Sequence, residues 1–171
     1  MTQRLFVIVG AVVAVLLQLL VAPYITVFSA MPNFVAVFAV IVAVANPPSY
    51  GCLLPFVLGL AYDLMGGGPV GAMAFSLTLF TYLLARYAER AGNDSLFMSL
   101  AFIALGLLLI ELTYAVFLLL LGYNANPFEA LAYRVAPCFV YDLVIGFVLF
   151  ILIGRFFQPT GVVRADITQL R

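Results

Sequence analysis

Hydrophobic and polar positions are segregated along this chain into apolar runs separated by short, punctuated stretches. The first run, 5–22, follows Arg4 and closes at Pro23. The next two, 33–45 and 50–64, are separated by Asn46-Pro47-Pro48. Two prolines inside one helix would remove donors and clash with the preceding turn, so these are two elements. Further runs follow at 69–85, 96–121 and 135–154, before a short polar tail, 155–171. A membrane span needs about 20 apolar residues, so the pattern predicts six transmembrane helices in a single domain, 1–171. Runs two and three are short, roughly 20–22 Å of helix against a ~30 Å hydrocarbon core. They are either sheltered inside the bundle or matched by locally thinned bilayer.

Finer periodicity suggests which faces meet. Gly10, Ala14 and Gln18 recur at four-residue spacing in the first run, the small-residue pattern that lets helices approach closely. Gln18 then needs a hydrogen-bond partner within that contact. In the fourth run Gly71, Ala74, Thr78, Thr81 and Ala85 form a small, weakly polar stripe, expected to face protein. Met73, Leu77, Phe80 and Leu84 form a bulky one, expected to face lipid or a looser contact. The most hydrophilic connection is expected at Arg86 to Asp94, and a loop with a helical turn at Gly122 to Arg134.

Composition agrees with a membrane protein: 67% of residues are apolar and 8% charged, against about 45–50% and 25% in soluble domains. Seven arginines balance seven acids, with neither Lys nor His, and no basic patch for nucleic acid. Six spans with an inside N-terminus place Arg4, Arg86, Arg90, Arg155, Arg164 and Arg171 in the cytoplasm and Arg134 alone outside. Both termini are therefore expected to be cytoplasmic. Without His the chain lacks the commonest metal ligand and general base. It also has no nucleophile–base pair, no phosphate-cradling glycine–lysine loop and no set of metal-binding carboxylates, so no enzyme, metal or cofactor is expected. Cys52 and Cys138 have no metal spacing and read as small apolar residues.

The chemistry that remains is a set of ionisable residues inside apolar runs: Asp63, Glu111 and Asp142, with Arg134 at the edge of the last run. With Gln18 they form a candidate polar cluster in the outer half of the bundle. Groups of this kind are costly in lipid and must find partners, among them the hydroxyls of Tyr62, Tyr114 or Tyr141. They serve either as hydrogen-bonding glue between helices or as a path or site for a charged group. Asp63 opens the stretch DLMGGGPVG, where it either caps the next helix or carries function. Its surroundings repeat weakly, Tyr62-Asp63-Leu64-x-x-Gly67 against Tyr141-Asp142-Leu143-x-x-Gly146.

The pattern F-x-x-G-L-x-x-D-L-x-x-G-x-x-x-G, carried by Phe56, Gly59, Leu60, Asp63, Leu64, Gly67 and Gly71, resembles the signature of the rod-shape-determining MreD family. The likeness extends to Gln18, Pro32-Asn33, Glu111, Arg134 and Pro137, and departs at Gly68-Pro69-Val70 and at Asp142, where relatives are expected to carry Asn. The resemblance implies a non-enzymatic subunit of the bacterial elongation machinery in the cytoplasmic membrane. It would bind MreC and link the MreB filament to a RodA-type glycosyltransferase and its penicillin-binding transpeptidase. Phe56, Gly59, Asp63, Gly67, Pro69 and Gly71, with the stripe residues Ala74 and Thr78, form the candidate partner motif. The family is similar in fold to the substrate-binding subunit of energy-coupling-factor transporters, which supplies the alternative reading, a vitamin-binding subunit. An ion channel resting on Asp63, Glu111 and Asp142 is the third.

Overall fold

A computed structural model of the chain describes residues 2–26, 31–45, 51–91, 96–122 and 135–154. Among the described residues six α-helices follow one another: α1 Thr2–Leu20, α2 Phe34–Ala45, α3 Leu53–Met65, α4 Ala72–Ala91, α5 Leu96–Leu120 and α6 Ala136–Gly154. A 3-10 turn, Ala22–Ile25, follows α1, and no strand occurs among the described residues. Among the described residues one segment, Phe97–Leu120, is long and apolar enough to cross a membrane by length and composition alone, and the other apolar helices are shorter.

The helix limits differ from the apolar runs where local chemistry outweighs hydropathy. α1 starts at Thr2, and Pro23 lies inside the 3-10 turn. α3 starts at Leu53, three residues later than its run. α4 continues through Arg86 and Arg90 to Ala91, over positions expected to begin a loop. Arg, Ala and Glu are strong helix formers, and Arg90 in the last turn complements the helix dipole. The start of α4 comes later than Pro69 because Gly71 takes a φ of +99°, open to glycine and strained for other residues. The expected polar loops at 92–95 and 123–134 lie outside the described residues.

α2 is the centre of the bundle. It contacts each of the other five helices, and ten of its twelve residues are buried. An all-apolar helix of Val, Ala, Phe and Ile suits this place, since a helix hydrophobic all round must be covered all round. α1 and α6 pack around it and leave apolar side chains outward: Ile8, Val12 and Leu16 on α1, and Val140, Val144 and Val148 on α6.

α4 corrects one expectation. Met73, Leu77 and Leu84 are buried rather than turned to lipid, while Phe75, Leu79, Tyr82 and Leu83 are the exposed ones. The large side chains fill the space toward α2 and α5: Leu84 sits where a Cβ on Gly106 of α5 would fall, beside Val40 of α2. Ala74, on the small stripe, faces α3. A Cβ on Gly59 would come within 2.7 Å of Ala74 N and 2.8 Å of Met73 O. The two stripes thus serve two neighbouring packing surfaces, a tight backbone contact and a side-chain core. Periodicity alone does not distinguish a core-filling stripe from a lipid-facing one.

Because the obstacle at Gly59 is backbone, it cannot swing aside. Gly59→Val should destabilise the protein by at least ~2 kcal/mol, whereas Gly67→Ala, with open space at its Cβ position, should change little. Thermal unfolding in detergent checks this, and equal stability of the two variants would contradict the α3–α4 packing.

Candidate functional site

Two helices begin inside the protein, and the residues expected to be functional gather at those two points. At the start of α4, Asp63 reaches across from the last turns of α3. Its Oδ2 accepts hydrogen bonds from the N–H groups of Gly71 (2.9 Å) and Ala74 (3.1 Å), and Met73 N–H lies 3.1 Å from both carboxylate oxygens. The first turn of a helix has N–H groups without intrahelical partners and a positive dipole end. A carboxylate from another helix satisfies both, and Asp63 is 1% exposed. Gly71 lets the chain fold back so that its N–H joins this set, and Gly59 brings the two backbones close enough for it. Asp63 is therefore a cap supplied between helices.

At the start of α2 the same task is shared by several helices. Asn33 is the cap residue, its Oδ1 accepting from Ala36 N–H at 3.0 Å. Gln18 of α1 accepts from Phe34 N–H at 2.8 Å and donates to Pro32 O at 3.1 Å, so its partners do come from the α1–α2 contact. Asp142 of α6 accepts from Asn33 N–H at 2.7 Å. The Asn33 amide then donates to Glu111 Oε1 of α5 at 3.3 Å and lies 3.9 Å from Met73 Sδ of α4. Five helices thus meet at residues 32–34. Met73 joins the two caps, with its N–H on Asp63 and its sulfur on Asn33.

Gln18, Glu111 and Asp142 of the expected cluster thus come together, all buried, while Arg134 lies outside the described residues. Asp142 Oδ2 is buried without a hydrogen-bond partner among the described residues. Tyr141 does not serve the carboxylates; its hydroxyl donates to Ile25 O at 2.8 Å. The two aspartates of the weak sequence repeat do the same work, each capping a helix other than its own.

The partner-motif residues separate into two groups. Gly59, Asp63, Pro69 and Ala74 are buried, and Gly71 is half-buried at the same junction. Phe56 and Gly67 are exposed. Thr78 bonds its own helix, Oγ1 to Ala74 O at 2.6 Å. Asn33 and Met73 were missing from the expected site. A cap-type residue directly before an apolar run was the available signal for Asn33; a thioether carries none.

Beside the glycine turn lies a cavity of about 440 Å³, lined by Gln18, Met31, Tyr62, Gly66, Gly68 and Tyr114 among others. The Tyr62 and Tyr114 rings meet edge to face at 6.1 Å, and Gly68 packs so closely on Tyr114 Oη that a Cβ there would overlap it. Among the described residues no group of three or more His, Cys, Asp and Glu is placed to hold a metal ion. Asp63 and Asp142 accept hydrogen bonds from backbone N–H groups, and Glu111 from the side-chain amide of Asn33.

A family model described as rod shape-determining protein MreD matches residues 1–160 of the chain. No curated protein and no solved structure matches it.

The shared cap gives a graded expectation. Asn33→Leu removes the bond to Ala36 N–H and the donor to Glu111, and each buried polar group left unsatisfied costs about 1–3 kcal/mol. Asn33→Ser keeps a capping oxygen and should lose roughly half as much. Detergent melting curves measure the order, and Leu tolerated as well as Ser would contradict the cap.

Proposed function

The chain belongs to the MreD family, and from that premise we propose that it is a non-enzymatic membrane subunit of the rod-shape system, shaped to bind other membrane proteins. The carrying observation is where its polar groups go. Asp63, Gln18, Asn33 and Asp142 face inward onto helix starts, while α1 and α6 expose apolar side chains along their lengths. Groups spent on internal caps set the angles between helices, and the surface left over is suited to lipid and to partner helices. In this reading the six helices form a multi-pass bundle in the bacterial cytoplasmic membrane, with both termini cytoplasmic as the arginine distribution favours. The bundle holds MreC, and through it the MreB filament, the RodA-type glycosyltransferase and the transpeptidase. Asp63 acts architecturally, by fixing the α3–α4 angle and so the surface offered to the partner.

A second reading has one observation in its favour. The cavity beside the glycine turn, about 440 Å³ with two tyrosines and three glycines among its lining residues, has the size of a small-molecule site. It is where a vitamin-binding subunit of the energy-coupling-factor type would hold its ligand.

Co-purification with MreC separates the two. Asp63→Asn keeps an acceptor oxygen and much of the shape, so it should retain at least half of the MreC recovery and rod-shape complementation. Asp63→Leu leaves three amides unsatisfied and should abolish both. Recovery of a small molecule in place of a protein partner would favour the transporter reading. Equal damage from Asn and Leu in a folded, inserted protein would show that the charge itself matters.

A further inference from the structure

At the arginine-bearing end of the bundle, opposite the caps, a second cavity of about 270 Å³ opens between three helices. Its walls are mostly apolar: Ala39, Val42 and Ala43 from the middle and end of α2, Leu54 and Pro55 from the start of α3, and Ala85 from α4, with Thr81 and Tyr82 of α4 among them. Arg86 and Glu89 stand at the rim. The cavity has a simple cause. α3 and α4 run antiparallel with Gly59 against Ala74, so Leu53, the first residue of α3, lies opposite roughly position 80. The last ten or so residues of α4 therefore extend about 15 Å beyond the start of α3. α2 is shorter still, twelve residues, or about 18 Å. Among the described residues, neither short helix covers this flank of α4 beyond its end, at a depth still within hydrocarbon if the bundle spans the membrane as proposed above.

We infer that this cleft is a phospholipid site, taking one acyl chain along Ala43, Leu54 and Ala85 and a zwitterionic phosphate–ammonium headgroup between Arg86 and Glu89. The inference rests on the membrane reading and adds a ligand to it. The walls, mostly apolar, suit a hydrocarbon chain; of the two hydroxyl-bearing residues there, Thr81 donates to Leu77 O within its own helix and Tyr82 lies under Arg86. The rim carries opposite charges three residues apart, on the same face of a helix, and both side chains are exposed. The Arg86 guanidinium lies over the Tyr82 ring, 5.6 Å from its centroid, which holds it at the mouth. A guanidinium binds phosphate oxygens in a two-pronged fashion. Glu89 accepts hydrogen bonds from a primary ammonium, which a quaternary ammonium cannot donate, and it repels a headgroup that is only anionic. The charge pattern therefore selects phosphatidylethanolamine over phosphatidylcholine and phosphatidylglycerol. A lipid here would complete the cover of α4 that the short helices leave open, and would tie the bundle to one leaflet.

Native mass spectrometry tests this on the full chain, extracted in mild detergent and exchanged into nanodiscs holding equal parts of the three lipids. The expected result is a retained phosphatidylethanolamine. Arg86→Gln should lower retention about tenfold, the loss of one charge-assisted contact. Glu89→Gln should keep a lipid but lose the preference for ethanolamine. Ala43→Phe, which fills the acyl channel, should abolish retention, while Val148→Phe on the exposed face of α6 should not. Equal retention of all three lipids by the wild type, or retention unchanged by Ala43→Phe, would overturn the site. Fractionation of the chain away from membranes would instead overturn the membrane reading on which it rests, and a partner protein found in the cleft in place of lipid would overturn the lipid assignment alone.

Discussion

A helix that begins inside a protein has N–H groups that neither its own backbone nor water can satisfy, and this constraint organises the structure. α2 and α4 both start within the bundle. The amides at and just before their first turns are met by Asp63, Gln18, Asn33 and Asp142, three of which come from other helices. Each buried amide left unpaired would cost about 1–3 kcal/mol, so the caps weigh heavily against the marginal stability of a domain. They also carry direction. Apolar contacts between helices tolerate sliding and rotation, whereas a carboxylate on three amides of a neighbouring helix permits one angle and one register. The close approach at Gly59, the reversal at Gly71 and the bridging position of Met73 all serve that geometry.

This gives the acids in the apolar helices an account without proton movement. Acids in apolar runs invite a reading as relay or ion path, and their number and depth do not separate that reading from a structural one. Their partners do. Asp63 and Asp142 face backbone amides at helix starts, where the dipole favours negative charge. Glu111 takes the amide of Asn33. The result is a core in which these polar groups are held between helices while α1 and α6 present apolar side chains outward.

Much of this was legible in the sequence because it depends on covalent or local rules. Pro47-Pro48 separates α2 from α3, the apolar runs mark six helices, and Asp63 before glycines and Pro69 signals a cap. Gln18 on a small-residue face announced a buried partner. What escaped the sequence depends on which neighbour a face meets. Met73, Leu77 and Leu84 are as apolar as any lipid-facing stripe, and only the presence of α2 and α5 makes them core. The reach of α4 past Arg86 reflects helix propensity overriding hydropathy. The convergence on Asn33 joins residues up to 109 positions apart, and no spacing rule connects them.

The central claim is that side chains from other helices hold these helix starts, and amide hydrogen exchange measures it directly. First-turn amides ordinarily exchange quickly because they lack intrahelical partners. The account predicts that Asn33, Phe34, Ala36, Gly71, Met73 and Ala74 are protected as strongly as mid-helix amides such as Val40. The start of α3, which has no side-chain cap and is exposed at Leu53, should exchange far faster and serves as the internal reference. In Asp63→Leu the protection at Gly71, Met73 and Ala74 should vanish while that at Asn33, Phe34 and Ala36 persists. Exchange at Gly71, Met73 and Ala74 as fast as at Leu53 in the wild-type protein would contradict the account.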